Sequence, residues 1–364
     1  MQVLSFSAIV SGMIDAISFE NLDRPFNGQR PLDRWWGVPP AQMADWFCHE
    51  RGPQAAGIIA IAQAHIFGST LVYRERGDSQ EILELEQNFL SVDTATAGLA
   101  QMEKQRAAGI LRVRDIEGEV VILSGFPYQL YGHWMVDFMP RLQMLRVSGR
   151  RLSNLRFLLP SDLPDFALEW LALAGVKPDQ IIPYDPDSDL CQCEHVLIPT
   201  NLRSGGRALP SMAQAALWMT QIACSEPVSP TRSLYISRES WGNITRKLEN
   251  YEEVEGIMGD HGFEIVYPEK LSIAGQAELF ASAKIIAGDY GSGLHNTIFS
   301  YPMTPVIALR GTELHPGFLQ SGLCEIRSQP LSYIFGRTWT DDRSFQHYEI
   351  GANDLHRCLQ AAAA

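Results

Sequence analysis

A chain of 364 residues is longer than one hydrophobic core usually supports, so two domains are expected. Its 46% hydrophobic and 20% charged residues are ordinary for a globular protein and argue against disorder. A net charge of -13 argues against a general nucleic-acid-binding or anionic-membrane-binding surface.

Residues 1–54 are predicted to form an N-terminal extension that packs on the first domain. Trp35, Trp36, Trp46 and Phe47 are concentrated there among glycines and prolines. Aromatic side chains usually fill small satellite cores, so packed cover over a neighbouring domain is favoured over an aromatic platform for a sugar.

The first twenty residues do not form a convincing secretory signal, because they lack a basic n-region and include Asp15. The most apolar window, residues 55–68, is too short to span a bilayer and carries Gln63 and His65. We therefore expect no integral membrane segment, and a protein that is either free in the cytoplasm or peripheral to the inner membrane.

Residues 55–225 are predicted to form the first α/β domain. Short apolar runs between residues 57 and 125 alternate with polar turns and indicate strands. Strand and helix patterns then alternate through GHWMVDFMPRLQMLRVSG, LRFLLPS, FALEWLALAGV, DQIIPYD, EHVLIPT and MAQAALWMTQIAC. This alternation predicts a parallel sheet with helices on both faces.

Six cysteines do not make a disulfide framework in a chain of this length. Cys191 and Cys193 have His195 close behind them, but no second Cys/His pair completes a metal site of the usual spacing. Reduced thiols in a strand and loop are the preferred interpretation, and they fit a reducing compartment.

The segment SEPVSPTR, residues 225–232, is the best linker candidate because prolines and small polar residues cluster in it. The alternation restarts after it, so residues 226–330 are predicted to form a second α/β domain. Two such domains predict a ligand-binding cleft between them. Residues 331–364 carry little pattern and are expected to be a C-terminal tail.

The stretch KIIAGDYGSGLHNTIFSYPMTPVIAL, residues 284–309, reads as strand, glycine turn, helix and strand. Backbone N–H groups at a helix N-terminus carry partial positive charge, and glycines let a phosphate approach them closely. The turn is therefore a candidate anion cradle. A tight turn that binds nothing is the alternative, since the pattern is neither G-x-G-x-x-G nor a Walker A loop.

Basic residues near another predicted strand end favour the cradle. Arg238 ends the strand LYISR, and Arg246 and Lys247 follow in the next segment. Carboxyl ends of parallel strands share one edge of a sheet, so Arg238 and the glycine turn are expected to face the same space. The planar guanidinium suits a diphosphate, and the joint arrangement favours a nucleotide-diphosphate site.

Two blocks carry a family resemblance. The first block, YGHWMVDFMPRLQML, is similar to the pattern Tyr-x-His-Trp-x-x-Asp-x-x-Pro-Arg-Leu. The second half of the chain is similar to a pattern with a Ser-Arg after a strand, an Asn-Glu-Glu-rich helix and a Gly-x-His-Gly-Ala-Gly-Leu-x-Asn turn. Both are patterns of glycosyltransferase family 61, which the chain resembles over roughly residues 55–310. Two blocks in the right order are more specific than either alone.

The resemblance implies a GT-B-like architecture, in which two Rossmann-like domains with parallel sheets face a central cleft. It implies inverting transfer of a sugar from a nucleotide sugar, commonly a UDP-sugar, to a glycan or glycoconjugate acceptor in surface polysaccharide biosynthesis. It implies no metal and no cofactor besides the nucleotide sugar as co-substrate. The sequence leaves the oligomeric state open, and a homo-oligomer is one of the alternatives.

The resemblance also transfers site positions to this chain. In the first block they are His133, Trp134, Asp137, Pro140 and Arg141. In the second block they are Ser237, Arg238, Arg246, Asn250, Glu252, Glu253, Pro268, Glu269, Gly288, Gly291, Gly293, Leu294 and Asn296. Three positions depart from the family pattern, because Tyr290 replaces His, Ser292 replaces Ala and Leu130 replaces Asn.

His133, Asp137 and Arg141 are spaced to share one helix face, with Pro140 starting that helix near residues 137–139 or kinking it. An inverting transfer needs a general base for the acceptor hydroxyl and positive charge at the leaving diphosphate. Asp137 or His133 could be the base, with a slight preference for Asp137. Alternatively, Asp137 orients His133 or pairs with Arg141.

Two acidic residues, Glu269 and Glu278, flank the predicted helix before the glycine turn. GT-B proteins often hold the ribose hydroxyls with an acidic residue near that region, and Glu278 is the candidate here. A competing hypothesis from another class is a non-catalytic nucleotide-sugar- or glycan-binding homologue, motivated by Tyr290. A Rossmann-type oxidoreductase is a weaker alternative, because its glycine fingerprint is missing.

Overall fold

The computed structural model describes residues 2–12, 14, 17–23, 34–41, 43, 55–123, 125–224, 226–239, 246–312, 318–342 and 344–363. The chain divides into two compact units. The first comprises Met1–Pro25 and Pro53–Arg203, and the second comprises Phe26–Gly52 and Ser204–Ala364.

Strands and helices alternate along the chain. The strands are β1 Gln2–Ser5, β2 Ile17–Asp23, β3 Arg34–Gly37, β4 Ala56–Phe67, β5 Leu71–Arg76, β6 Ser79–Glu84, β7 Arg112–Ile122, β8 Phe157–Pro160, β9 Ile181–Tyr184, β10 Asp189–Pro199, β11 Arg203–Ser204, β12 Arg207–Ala208, β13 Arg232–Ile236, β14 Arg246–Leu248, β15 Glu264–Val266, β16 Ala283–Asp289, β17 Val306–Gly311, β18 Leu331–Thr340 and β19 Gln346–Glu349.

The α-helices are α1 Phe6–Val10, α2 Val92–Ala107, α3 Tyr131–His133, α4 Met139–Val147, α5 Asp165–Leu173, α6 Ser211–Ala223, α7 Tyr251–Asp260, α8 Ile273–Ala281, α9 Leu319–Ile326 and α10 Ala352–Ala363. A π-helical turn, Trp134–Phe138, joins α3 to α4. None of the described helices is long and apolar enough to cross a membrane.

The sheet of the first unit is mixed, with the strand order β1-β6-β5-β4-β10-β7-β8-β9 and β2 also paired to β4. The strands β10, β7, β8 and β9 run parallel, whereas β4 pairs antiparallel with β2, β5 and β10. The expectation of a parallel sheet is therefore wrong for this half. The links between β4, β5 and β6 are hairpins, which are too short for the helical crossover that parallel pairing requires.

The second unit holds the Rossmann-like arrangement. Strands β15, β13, β16, β17 and β18 are parallel neighbours, and helices α7 and α8 lie in the connections between them. The carboxyl ends of these strands consequently meet at one edge of the sheet, where loops that bind ligands are commonly found.

The boundaries of the units differ from those expected. Helix α6 belongs to the second unit, which begins near residue 204 rather than 226. The expected tail contains β18, which pairs with β17 and buries Tyr333 and Ile334. The linker composition of residues 225–232 therefore marks a loop within a unit.

The N-terminal extension is split between the units. Residues 26–52 belong to the second unit, where β3 pairs with β18 and Trp36 packs against its core. That pairing gives Trp36 the covering role that was favoured, although on the other domain. Trp35 is 43% exposed, and Trp46 and Phe47 lie outside the described residues.

Candidate active site

The first candidate site lies on the helix that carries the YGHWMVDFMPRL block. Pro140 has no N–H to donate within the helix, and it lies in the first turn of α4 directly after the π-helical turn. Such a turn keeps the chain helical across the proline, and π-helical turns frequently occur at functional sites. The helix start expected near residues 137–139 is where the π-helical turn passes into α4.

Asp137 is the centre of a buried polar network. Its Oδ2 atom lies 2.6 Å from Nδ1 of His133 and accepts a hydrogen bond from Nη2 of Arg203 at 2.7 Å. Its Oδ1 atom accepts from Nδ2 of Asn201 at 3.3 Å. Burial alone would raise the pKa of Asp137, but the charges and hydrogen bonds of Arg203 and His133 outweigh burial and hold it below the ordinary value.

This environment bears on the roles left open for the pair. Asp137 is 0% exposed and both carboxylate oxygens accept hydrogen bonds, so the slight preference for Asp137 as the general base is not supported. An ionised carboxylate only accepts, so Nδ1 of His133 must be the donor. His133 then presents Nε2 as a proton acceptor, on a side chain that is 28% exposed.

Two aromatic and cationic neighbours complete the first site. The ring of Phe89 lies edge-on to His133, with centroids 5.4 Å apart. Arg141 is fully buried, and its guanidinium lies 4.5 Å from the ring of Phe138. Burial lowers the pKa of Arg141 to about 10, and the Asp137 carboxylate opposes that fall.

Arg141 was expected to bind the nucleotide sugar, and its position argues otherwise. A guanidinium without exposed surface has no access to a ligand. It is a buried counter-charge of Asp137. Asn201 and Arg203 were missed, although their signal was available as polar residues directly after the strand EHVLIPT.

The second candidate site is the glycine turn of the second unit. Strand β16 ends at Asp289, and the turn leads into a 3-10 helix, Leu294–Phe299, at the position where the sequence predicts a helix. Leu294 and Asn296 are fully buried. Asn296 donates from Nδ2 to Oε1 of Gln276 at 2.8 Å, so these two positions hold the turn in place and do not reach a ligand.

The glycines of the turn serve different purposes. A Cβ on Gly288 would lie 2.7 Å from both Cβ and the carbonyl oxygen of Ile236, so this glycine allows β13 and β16 to pair. A Cβ on Gly291 would lie 2.8 Å from Nη1 of Arg238, so this glycine makes room for the guanidinium. Ser292 is exposed at the tip of the turn, beside the half-buried Gly293.

Three arginines converge on Tyr290 at the carboxyl edge of this sheet. Arg238 donates from Nη1 to the carbonyl oxygen of Tyr290 at 3.3 Å, and the guanidinium of Arg310 lies 4.8 Å from the Tyr290 ring. Arg246, on β14, is the third. Burial lowers the pKa of Arg246, and the neighbouring charge of Arg238 lowers it further. Arg310 was missed because it lies inside an apolar strand pattern.

The hydroxyl of Tyr290 is engaged within the protein. It accepts a hydrogen bond from the backbone N–H of Leu319 at 2.9 Å, and the side chain is 5% exposed. Burial raises the pKa of Tyr290 above its ordinary value. Tyr290 therefore supports Arg310 and the start of α9, and it does not offer the imidazole-like donor of the family pattern.

Beneath the turn lies a carboxylate that the sequence did not single out. Asp289 accepts a hydrogen bond from the hydroxyl of Tyr235 at 3.0 Å and is 7% exposed. Burial raises the pKa of Asp289 to about 6, against the opposing charge of Arg238.

The remaining expected ligands are only partly brought together. Ser237 is 3% exposed, and its hydroxyl accepts from the backbone N–H of Glu239 at 3.2 Å, so it stabilises the turn after β13. Glu269 is exposed at the carboxyl edge of the sheet. Its neighbour Pro268 lies close to the glycine turn, since a Cβ placed on Gly293 would be 3.8 Å from the Pro268 side chain.

Glu278 lies at the opposite edge of the sheet. It is near the end of α8, and the carbonyl oxygen of the following Ser282 accepts from the backbone N–H of Arg232, where β13 begins. A strand of seven residues separates this end of β16 from the glycine turn, a distance of about 20 Å. The expected contact of Glu278 with the ribose is therefore wrong.

Among the residues that the structure describes, no three His, Cys, Asp or Glu side chains are grouped as metal ligands. Cys191 and Cys193 are buried, and burial raises the pKa of each thiol to about 12.

The fold and the site define an α/β protein that carries a glycine turn and clustered arginines at one edge of a sheet. The family model for glycosyltransferase 61 matches residues 131–307, which include His133, Asp137 and the glycine turn. This match supports membership of glycosyltransferase family 61. No curated protein matches it.

Proposed function

We propose that the protein is an inverting glycosyltransferase that takes its donor sugar from a nucleoside diphosphate, with UDP as the expected nucleotide. The observation that carries the proposal is the convergence of Arg238, Arg246 and Arg310 on one glycine turn. Like charges repel, so an anionic ligand would stabilise the cluster, and arginine binds phosphate oxygens in a bidentate manner.

The donor is assigned to the second unit. Arg238 and Arg246 would bind the diphosphate, and the exposed Ser292 would place its backbone N–H and hydroxyl at the same ligand. Arg310 is 2% exposed and would act as a fixed charge behind Tyr290. Each charge-assisted hydrogen bond to the diphosphate would contribute about 1.5–3 kcal/mol.

Activation of the acceptor is assigned to the first unit. Nε2 of His133 would take the proton of the acceptor hydroxyl while that oxygen forms a bond to the anomeric carbon. The bond from the anomeric carbon to the diphosphate breaks in the same displacement, which inverts the configuration, and the nucleotide leaves with the electron pair. Asp137 would hold His133 in the required tautomer and stabilise its protonated form.

The acceptor is proposed to be a hydroxyl of a glycan or glycoconjugate in surface polysaccharide biosynthesis, in the cytoplasm or at the inner membrane. Support for this pathway comes from the family alone. The donor sugar, whether a hexose, an N-acetylhexosamine or a pentose, is read out by the test below.

The test is release of the nucleotide, UDP, GDP or CMP, from a panel of UDP-, GDP- and CMP-linked sugars, with and without mixed glycan acceptors. The account expects release from UDP-sugars and a fall of about 10²- to 10⁴-fold in His133→Gln with unchanged donor affinity. His195→Gln, at an exposed histidine of the same unit, is the matched control.

A non-catalytic nucleotide-sugar-binding protein is the second candidate, favoured by the engagement of the Tyr290 hydroxyl with Leu319. Binding of a UDP-sugar without release of UDP, for every acceptor tried, would establish this candidate and exclude the first.

A further inference from the structure

Asp289 is held between two tyrosines below the proposed diphosphate site. Tyr235 of β13 donates to its Oδ1 atom at 3.0 Å, and Tyr348 of β19 also forms a hydrogen bond with its carboxylate. Its position as the last residue of β16 places it one residue before the turn.

The charges that face Asp289 come from three directions. Arg238, directly after β13, attracts its carboxylate, while Glu255 of α7 repels it. One carboxylate oxygen of Glu255 is buried and has no hydrogen-bond partner within the described part of the chain. Arg246, on β14, is electrostatically coupled to both Arg238 and Tyr348. Asp289 is thus a buried acid whose ionised form depends on the positive charge of Arg238.

We propose that Asp289 takes up a proton when a diphosphate binds Arg238 and Arg246, so that the ligand replaces this carboxylate as the counter-charge of Arg238. The inference rests on the proposed function, in which those arginines bind a nucleoside diphosphate. The ligand brings negative charge close to Asp289, whose ionised form is already disfavoured by burial and by Glu255. The proton comes from the solvent.

The direction of the pH dependence follows. Without ligand, the pKa of Asp289 is about 6, so the carboxyl is mostly ionised at neutral pH. A bound anion raises that pKa, and binding is then coupled to proton uptake above about pH 6. Affinity for the diphosphate should increase by about five- to tenfold from about pH 8 to about pH 6, and level off below that.

The experiment is a calorimetric titration of UDP into the protein near neutral pH, in buffers of different ionisation enthalpy, for the native chain and Asp289→Asn. UDP ionises near this pH itself, so the difference between the two proteins is the measured quantity. The native chain should take up more protons than Asp289→Asn. The variant should bind UDP at least as tightly at about pH 8 and lose the additional pH dependence.

A second variant protects the test against misfolding of the first. Tyr235→Phe removes a hydrogen bond that favours the ionised carboxylate, so its pH dependence should move to higher pH. Asp260→Asn, on the same unit and exposed, should behave as the native chain. Equal proton uptake by native and Asp289→Asn would overturn this inference alone. Failure of the native chain to bind any nucleotide would overturn the proposed function and this inference with it.

Discussion

His133 and Asp137 lie one helical turn apart, and Nδ1 of the histidine is 2.6 Å from Oδ2 of the aspartate. The aspartate is fully buried and also accepts from Arg203, whereas the histidine side chain is 28% exposed. A buried acceptor that orients a partly exposed imidazole is the arrangement of an acid–histidine pair, in which the histidine moves the proton.

Asp137→Asn should affect both stability and turnover. It leaves Arg203 and Arg141 buried without their counter-charge, which should lower the free energy of unfolding by about 3–5 kcal/mol. It also allows the wrong tautomer of His133, so turnover should fall by about 10²- to 10⁴-fold. Denaturant unfolding and nucleotide release measure the two effects. Asp165→Asn, at an exposed position, is the control, and an unfolding midpoint of Asp137→Asn equal to native would contradict the account.

Gly288→Ala and Gly291→Ala should separate folding from binding. The new Cβ at position 288 would meet the backbone and Cβ of Ile236 at 2.7 Å, which should destabilise the unit by about 1–3 kcal/mol. At position 291 it would meet only the end of the flexible Arg238 side chain at 2.8 Å, so Arg238 moves and UDP affinity falls, while the backbone φ of +159°, which L side chains rarely adopt, costs only part of the stability. Thermal unfolding and UDP titration distinguish the two, and the reverse pattern would refute the roles assigned.

Asp289→Asn should stabilise the protein at neutral pH. The folded pKa of about 6 is above the ordinary value of an aspartate, so ionisation of Asp289 opposes folding and stability falls as pH rises from about 4 to about 6. The asparagine cannot ionise, so the variant should gain about 2–3 kcal/mol at pH 7 and nothing at about pH 4. Unfolding curves across this pH range test the sign, and a loss of stability at neutral pH would show that the carboxylate stabilises the fold.

The two acidic candidates for the ribose should differ. Glu269 lies at the carboxyl edge near Gly293, and Glu278 near the start of β13, so Glu269→Gln should weaken UDP binding and Glu278→Gln should not. The loss of one hydrogen bond to a carboxylate corresponds to about tenfold in affinity. Titration of UDP measures both, and weaker binding by Glu278→Gln alone would reverse the assignment.

Local pattern predicted strands β13, β15, β16 and β17 of the second unit well, because each contains a short apolar run and the connections through α7 and α8 carry a helical period. The turn after β16 was found for the same reason, since glycines marked the end of a strand. The first unit was less predictable, as its antiparallel pairs depend on hairpins that no periodicity reveals. The tail was misjudged because β18 mixes aromatic and polar residues while pairing with β17.

The partners of Asp137 illustrate what local pattern misses. Asn201 and Arg203 are 64 and 66 residues away along the chain, and only the pairing of β10 with β7 and β4 brings them to the helix. The prediction that Glu278 contacts the ribose was wrong for the opposite reason. Glu278 is close to the glycine turn in sequence but not in space, because an intervening strand carries the chain from one edge of the sheet to the other.

The most direct measurement is a calorimetric titration of UDP, GDP, CMP and NAD into the native protein, Arg238→Ala and Arg232→Ala. Both arginines are close to β13. Arg238 follows the end of this strand, whereas Arg232 lies at its start, where it pairs with Glu264 at the surface. The account predicts selective binding of UDP that weakens about ten- to 100-fold in Arg238→Ala and is unchanged in Arg232→Ala. UDP binding unaffected by Arg238→Ala, or no binding of any nucleotide by the native chain, would contradict the placement of the diphosphate at the glycine turn.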